Sequence, residues 1–263
     1  MRLPIGVTIL TTALTVLGAA IVAAPTAASA QMAESDYRVS ITNLTDGQVL
    51  SPPIVFTHAP GMHVWQTGEL ASAEVRDIAE MGDTSALAAK LAGMATAVVA
   101  LDAPLPPGES VSVTITAHEG DVVSALTMLV RTNDGFTGLD GLALSMADTE
   151  RETDAYDAGT EDNTELASDV PGPPFGGTNR APTDPQQPIS MHPGISGNAD
   201  VGPEYDWDGP VAKFAVSPLP MHMPQTGSSG APTVAFLVFA GVAALGLGLG
   251  VRHARHAQQR GQV

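Results

Sequence analysis

Five acidic residues stand on two glycine-bearing loops: Asp134 and Asp140 in TNDGFTGLDG (132–141), and Asp157, Glu161 and Asp162 in AYDAGTEDN (155–163). The segment between them, Leu142 to Met146, reads as one strand, so the loops face each other across it. Carboxylates on loops can converge on a shared point. A hard cation such as calcium takes about six to eight oxygen ligands from such loops. A pair of acids is also the equipment of a glycoside hydrolase. Asp at a turn can equally do nothing more than accept bonds from turn amides. The same residues therefore allow metal binding, hydrolysis or plain turn chemistry.

The surrounding chain supplies mostly strands to hold these loops. Tyr37, Val39 and Ile41 alternate with polar neighbours between Asp36 and Asn43, the period-two pattern of a half-buried strand. Ile54 to Thr57 is a short apolar run ended by the Ala59-Pro60-Gly61 turn, and Trp65 is expected to pack beneath that loop. Glu69 to Glu80 shifts to a helical period that Gly82 ends, and Thr84 is placed to cap a second short helix. Ala95 to Leu101 returns to strand composition. Glu109–Ala117 and Val122–Arg131, joined by Glu119-Gly120-Asp121, predict a hairpin. Val170 to Pro210 is rich in Pro and Gly and reads as loop, and Val211 to Val216 predicts a returning strand. The fold class expected is all-β, an antiparallel β-sandwich with short helical insertions.

Both ends read as targeting segments. Arg2 and the apolar run Ile5–Ala24 precede Ala28-Ser29-Ala30, which predicts a signal peptide over 1–30 cleaved between Ala30 and Gln31. Near the other end, the apolar run Val234–Val251 predicts a transmembrane helix within 231–251. Arg252, Arg255 and Arg260 in the tail 252–263 predict a cytoplasmic end. The tether 217–230 carries Met223-Pro224-Gln225-Thr226-Gly227. This resembles the sortase sorting signal, with Met223 in place of leucine, followed in the same order by an apolar span and basic residues. The resemblance implies cleavage between Thr226 and Gly227 and transfer to a cell-wall peptide. The expected location is the extracellular face, anchored to cell membrane or wall.

Charge narrows the partners. All 28 acidic residues lie between Glu34 and Asp208, against the seven basic residues Arg38, Arg76, Lys90, Arg131, Arg151, Arg180 and Lys213, leaving the exported part at −21. Such a surface repels nucleic acid and attracts cations or basic partners. With no cysteine, disulfides, thiolate zinc sites and thiol catalysis are excluded. The seven histidines are scattered along the sequence and predict no histidine metal site.

Several of these motifs together resemble the spondin domain, the N-terminal module of F-spondin and mindin. The matching residues are Tyr37–Thr45 (YRVSITNLT), Leu50-Ser51-Pro52, Ala79–Asp83 (AEMGD) and Thr132–Asp140 (TNDGFTGLD). Most specific is Tyr156-Asp157-Ala158-Gly159-Thr160-Glu161, and order and spacing agree from about Asp36 to Val216. The resemblance implies a spondin domain over 31–216, in a cell-surface member of bacterial type. It also implies a C2-like sandwich with calcium at one end, and places Asp134 and Asp157 on the family's metal-binding aspartates, with Asp140 and Glu161 as lesser candidates. The family's third acid falls at Thr114-Ile115-Thr116, where this chain has none.

The function expected is a non-catalytic, surface-anchored recognition module that binds calcium and a protein or glycan partner. A hydrolase using Asp134 and Asp157 is the rival, opposed by the scarcity of aromatic residues that would line a sugar cleft and by the lack of a Gly-x-Ser-x-Gly elbow. A structural surface spacer is the third reading.

Overall fold

The computed structural model describes residues 34–220. In chain order these form β1 (Glu34–Asn43), β2 (Ile54–His58), α1 (Ala73–Met81), α2 (Ser85–Leu91), β3 (Ala97–Ala100), β4 (Ser110–His118), β5 (Val122–Met128), β6 (Gly135–Ala143), β7 (Thr149–Thr153), β8 (Tyr156–Asp157), β9 (Ser190–Met191) and β10 (Ala212–Pro218). They make two antiparallel sheets, one of four strands in the order β4-β1-β10-β7 and one of six in the order β3-β2-β5-β6-β8-β9. The expected all-β sandwich with short helical insertions is what forms.

The four-stranded sheet follows directly from alternation. Tyr37, Val39 and Ile41 of β1 turn inward with Val113 and Ile115 of β4 and Phe214 and Val216 of β10, and all are buried. The intervening residues face outward, where Ser40 and Ser112 share a hydroxyl bond of 2.7 Å and Thr42 and Ser110 one of 2.8 Å. The pairing runs past the boundary expected at Val216, because β10 extends to Pro218 and Leu219 N donates to Asp36 O at 2.8 Å.

The central strands of the six-stranded sheet are buried on both faces. Val55, Val123, Ala125 and Leu139 meet the core shared with the first sheet. Ile54, Phe56, Leu126 and Phe136 meet Val75 and Ile78 of α1 and Leu87 and Leu91 of α2 on the other side. Every residue of β2 and of β5 is buried as a result, which is why their apolar residues run on without alternation. Ser72 caps α1, and Gly82 closes it in the left-handed region (φ 67°), with its N–H bonded to Ile78 O at 2.8 Å. Thr84 stands at the start of α2 but its side chain makes no capping bond. Asp83 does that work, accepting Ser85 N at 2.9 Å.

The expected hairpin of residues 109–131 is not one. β4 pairs with β1 and β5 pairs with β2 and β6, so the chain changes sheets at Glu119-Gly120. The turn is as tight as expected, with His118 N donating to Asp121 Oδ2 at 2.9 Å. The strands part because β5 needs apolar neighbours on both faces, whereas β4 has one polar face for solvent.

The Pro/Gly-rich stretch beyond Val170 carries little regular structure, as expected, but it is anchored. Val170, Ile195 and Val201 form a small core of their own. Arg131 ties the stretch to the sandwich, donating to Pro173 O at 2.7 Å and lying over the Tyr205 ring at 4.9 Å. The signal segment 1–30 with Ala30 and Gln31, the motif Met223–Gly227, the span 231–251 and the tail 252–263 lie outside the described residues. Among the described residues, no helix is long and apolar enough to cross a membrane.

Candidate functional site

A tight turn places Asp134 immediately before β6. Thr132 Oγ1 accepts Gly135 N at 2.8 Å and donates to Leu129 O at 2.7 Å, fixing the backbone on both sides of the aspartate. β8 then pairs with only the first two residues of β6, Gly135 opposite Asp157 and Phe136 opposite Tyr156. That short ladder brings Asp134 and Asp157 together from positions 23 residues apart in sequence (134 and 157). Trp65 packs against Phe136 and Tyr156, with ring centroids 5.1 and 4.6 Å away, and supports the ladder from below.

The two aspartates differ in what they bond. Asp134 is fully buried, and its Oδ2 accepts from Thr160 N at 2.7 Å, Thr160 Oγ1 at 3.1 Å and Glu161 N at 3.0 Å. Its Oδ1 is buried with no partner at all. Burial first, and then the charge of Asp157, push the Asp134 carboxyl up to about 6. Asp157 is half-buried, with Oδ1 accepting Gly159 N at 2.7 Å and Oδ2 accepting Asn163 Nδ2 at 2.6 Å. Gly159 has φ 68°, and a Cβ there would stand 2.2 Å from Gln187 O, so the turn admits only glycine. Turn bonding and a spare buried acceptor thus coexist in this pair.

The lesser candidates are placed elsewhere. Asp140 lies within β6 and not on a loop, because the strand is Gly135–Ala143 and not the expected Leu142–Met146. The Gly-rich sequence hid it, since Gly135 and Gly138 are needed where neighbours press close: a Cβ on Gly138 would stand 2.0 Å from Ala125 O. Asp140 bonds His63 Nδ1 at 2.7 Å. Glu161 is buried beside Arg180, which forks onto Glu80 and stands 3.4 Å from Glu161 Oε1. Burial, then the charge of Glu80, push the Glu161 carboxyl up to about 7. Asp162 accepts Thr183 Oγ1 at 2.8 Å at the surface.

The position that the resemblance assigns to a third acid is not beside this pair. Thr116 of β4 lies against Thr57, whose Oγ1 bonds Thr116 O at 2.6 Å, and Thr57 is opposite Val123 at the start of β5. Asp134 follows the other end of β5, after Leu129. Among the described residues no group of three or more His, Cys, Asp or Glu side chains is gathered to hold an ion.

One residue in this neighbourhood escaped the sequence reading. His192 is buried, its ring reaching Gly135, where a Cβ would meet its Cδ2 at 3.1 Å. Its Nδ1 accepts Gly194 N at 3.1 Å, which leaves the ring proton on Nε2. Burial holds the imidazole below its ordinary value, against the pull of Asp157, Glu165 and Asp206. In that tautomer the one lone pair, on Nδ1, is taken by Gly194 N–H and Nε2 is a donor, so His192 is not a metal ligand as it stands. Its Pro/Gly-rich surroundings gave no signal that it would be folded under β6.

The fold that carries these acidic turns is an antiparallel two-sheet sandwich, with Asp134 and Asp157 meeting where β8 pairs with the start of β6. The particular family follows from sequence comparison: the Spondin_N model matches residues 42–193, and the chain belongs to that family. The match spans both motif halves. It leaves out most of β1 and all of β10, which the structure shows to be central strands of the four-stranded sheet. No curated protein matches the chain. Spondin domains are typically extracellular and generally non-catalytic, and the chain is consistent with an adhesion-type module of that kind.

Proposed function

We propose that this protein is a surface-displayed recognition module that binds a protein or glycan partner and is braced at one end by calcium held on Asp134 and Asp157. The observation that carries the metal reading is Asp134 Oδ1, a fully buried carboxylate oxygen without a partner. Leaving such an atom unpaired is costly, and a cation beside it would relieve both that cost and the repulsion from Asp157. Asp157 can contribute although both its oxygens are engaged, since each carboxylate oxygen has two acceptor positions. Asp140 and Glu161 stay outside the ligand set in this reading, because Asp140 lies within β6, away from the turn, and Glu161 stands beside Arg180. Bound calcium would supply charge compensation between the β6 turn and the 157–163 turn, fixing one loop end of the sandwich.

The hydrolase alternative is opposed by the same geometry, because a fully buried Asp134 cannot reach a glycan. A structural spacer remains as a reading in which the partner is absent. Display at the cell surface is supported by the order of signal segment, MPQTG motif, apolar span and basic tail. Partners in that anchoring would be a sortase acting at Thr226 and a cell-wall peptide, or the membrane itself through the 231–251 helix.

Thermal melting of the full chain with calcium, and again with chelator, tests the metal reading. Calcium is expected to raise the melting temperature, and Asp134→Asn to abolish that rise while the protein still melts cooperatively. Equal melting in both buffers would remove calcium from the proposal. Mass spectrometry of the native protein tests anchoring: an end at Thr226 joined to a wall peptide supports sorting, and an intact Val263 refutes it.

A further inference from the structure

The two sheets part between β6 and β7, and the gap is lined by unpaired strand edge. β8 covers only Gly135 and Phe136 of β6, and among the described residues no strand pairs with the second side of Gly138–Ala143. β7 pairs with β10 alone, so its other side is open as well. Thr137 closes the upper end of the gap, its Oγ1 bonding Thr153 Oγ1 at 2.8 Å and Asp154 O at 2.8 Å. Below that bond lies a groove of about 600 Å³, with Trp65 and Tyr156 at one end and Asp140, Arg151 and Asp154 along it.

Backbone polarity points into this groove. Leu129 N donates to Gly135 O, so by antiparallel alternation Gly135, Thr137 and Leu139 turn their polar groups toward β5. Gly138 and Asp140 turn theirs the other way, where no strand receives them. The register between β5 and β6 then slips by one residue, so that Asp140 and Gly141 together oppose Ser124. Gly141 takes φ 71° and donates its N–H to Ser124 Oγ at 2.8 Å. A bulge of this kind re-aims a side chain, here Asp140, whose Oδ2 bonds His63 Nδ1 at 2.7 Å and whose buried Oδ1 beside the groove has no partner.

We propose that this groove is a strand-addition site that receives an extended segment of a partner protein carrying a lysine or arginine beside Asp140. The main chain of the segment would pair with the open edge of β6, and its basic side chain would meet Asp140 and Asp154. Charge selects this occupant. The exported part stands at −21, from 28 acidic and seven basic residues, so a second copy would be repelled. Arg151, exposed on β7 opposite Phe214, adds to that exclusion, since a charge on an edge strand discourages self-pairing. A glycan is disfavoured because Trp65 is buried and offers no stacking face.

This inference rests on the recognition reading above and names the surface that does it. The test is hydrogen exchange of the full chain with three probes. They are the peptide acetyl-Val-Lys-Val-Lys-Val-Thr-amide, its counterpart with glutamate for lysine, and the lysine peptide with alternate amides N-methylated. The lysine peptide is expected to slow exchange across 138–143 about tenfold. The other two are expected to give no protection, and Asp140→Asn to weaken the lysine peptide about fivefold. No protection at 138–143 by the lysine peptide overturns the proposal, as does equal binding of the glutamate or N-methylated probe. Protection that depends on protein concentration without peptide also overturns it, in favour of self-pairing. Calcium-dependent melting, measured on the same samples, distinguishes failure of the groove from failure of the metal reading.

Discussion

The two sheets solve different problems with the same kind of strand. The four-stranded sheet buries one face and shows water the other, so its residues alternate and its outer hydroxyls pair at the surface. The six-stranded sheet is covered on both faces, by the shared core and by α1 and α2, and its central strands are buried throughout. Chemistry collects where the second sheet thins out. β6 pairs with β5 along its length apart from the bulge at Asp140-Gly141 but with β8 at only two positions, and Asp134, Asp157, His192 and the open groove all lie along that incomplete side. The lesson is that a sheet sealed on both faces gives a rigid platform, and its unfinished edge is where polar groups are left with unmet demand.

The sharpest break of this comparison removes a ring from the sealed sheet. Phe136→Ala is expected to cost about 3–5 kcal/mol, since the ring is fully buried against Trp65 and Tyr156. Urea denaturation measures it, and a cost under 1 kcal/mol would mean the two sheets are not differently sealed. Next is Asp134→Ala, which removes the acceptor of three bonds from Thr160 and Glu161 and is expected to cost roughly 2–4 kcal/mol in the same experiment.

A pH series isolates the charge on that buried edge. The Asp134 carboxyl is raised from 3.8 to about 6, so its protonated form is favoured by folding. Its contribution is fully present below about pH 4 and is lost as pH rises through about 6. On the order of 3 kcal/mol is at stake without metal, from the size of the shift. Glu161 adds in the same direction through about 7. Asp83 and Asp169, lowered from 3.8, act in the opposite sense only at lower pH, whereas His192, held below 6.5 by burial, opposes the fall up to about that pH. Denaturation between pH 4.5 and 7.5 in chelator should therefore show the stability of the wild type falling relative to that of Asp134→Asn as pH rises. A profile identical in the variant would refute the assignment.

The smallest effect is expected on the wet face. Ser112→Ala breaks only the exposed hydroxyl pair with Ser40 and should shift stability by less than about 0.5 kcal/mol. A larger loss would show that the four-stranded sheet depends on its outer face as well.

Much of this was written locally, and the failures share one cause. β1, β4 and β10 were legible because solvent on one face forces alternation. α1 was legible from its period and from Gly82. β7, with the sequence TERET, gave no signal, because as an edge strand it is mostly exposed and holds only Thr153 buried. β8 is two residues long and β6 is interrupted by glycines that serve close strand approach and a bulge. The Asp134–Asp157 pair was found through its motifs, whereas Arg180, Glu80 and His192 were invisible as partners because they join from distant parts of the chain.

By itself, the sequence determined the all-β class, the positions of most strands, the acidic and cysteine-free character, and the two aspartates that meet. These are properties of spacing and residue type, and they survive without knowing which strand neighbours which. Only the tertiary structure decided that β4 and β5 belong to different sheets. It alone left one oxygen of Asp134 unpartnered, carried the supposed third-ligand position to the far end of β5, and opened an edge between β6 and β7. Those outcomes depend on which apolar faces find each other across the core, and no local pattern encodes that choice.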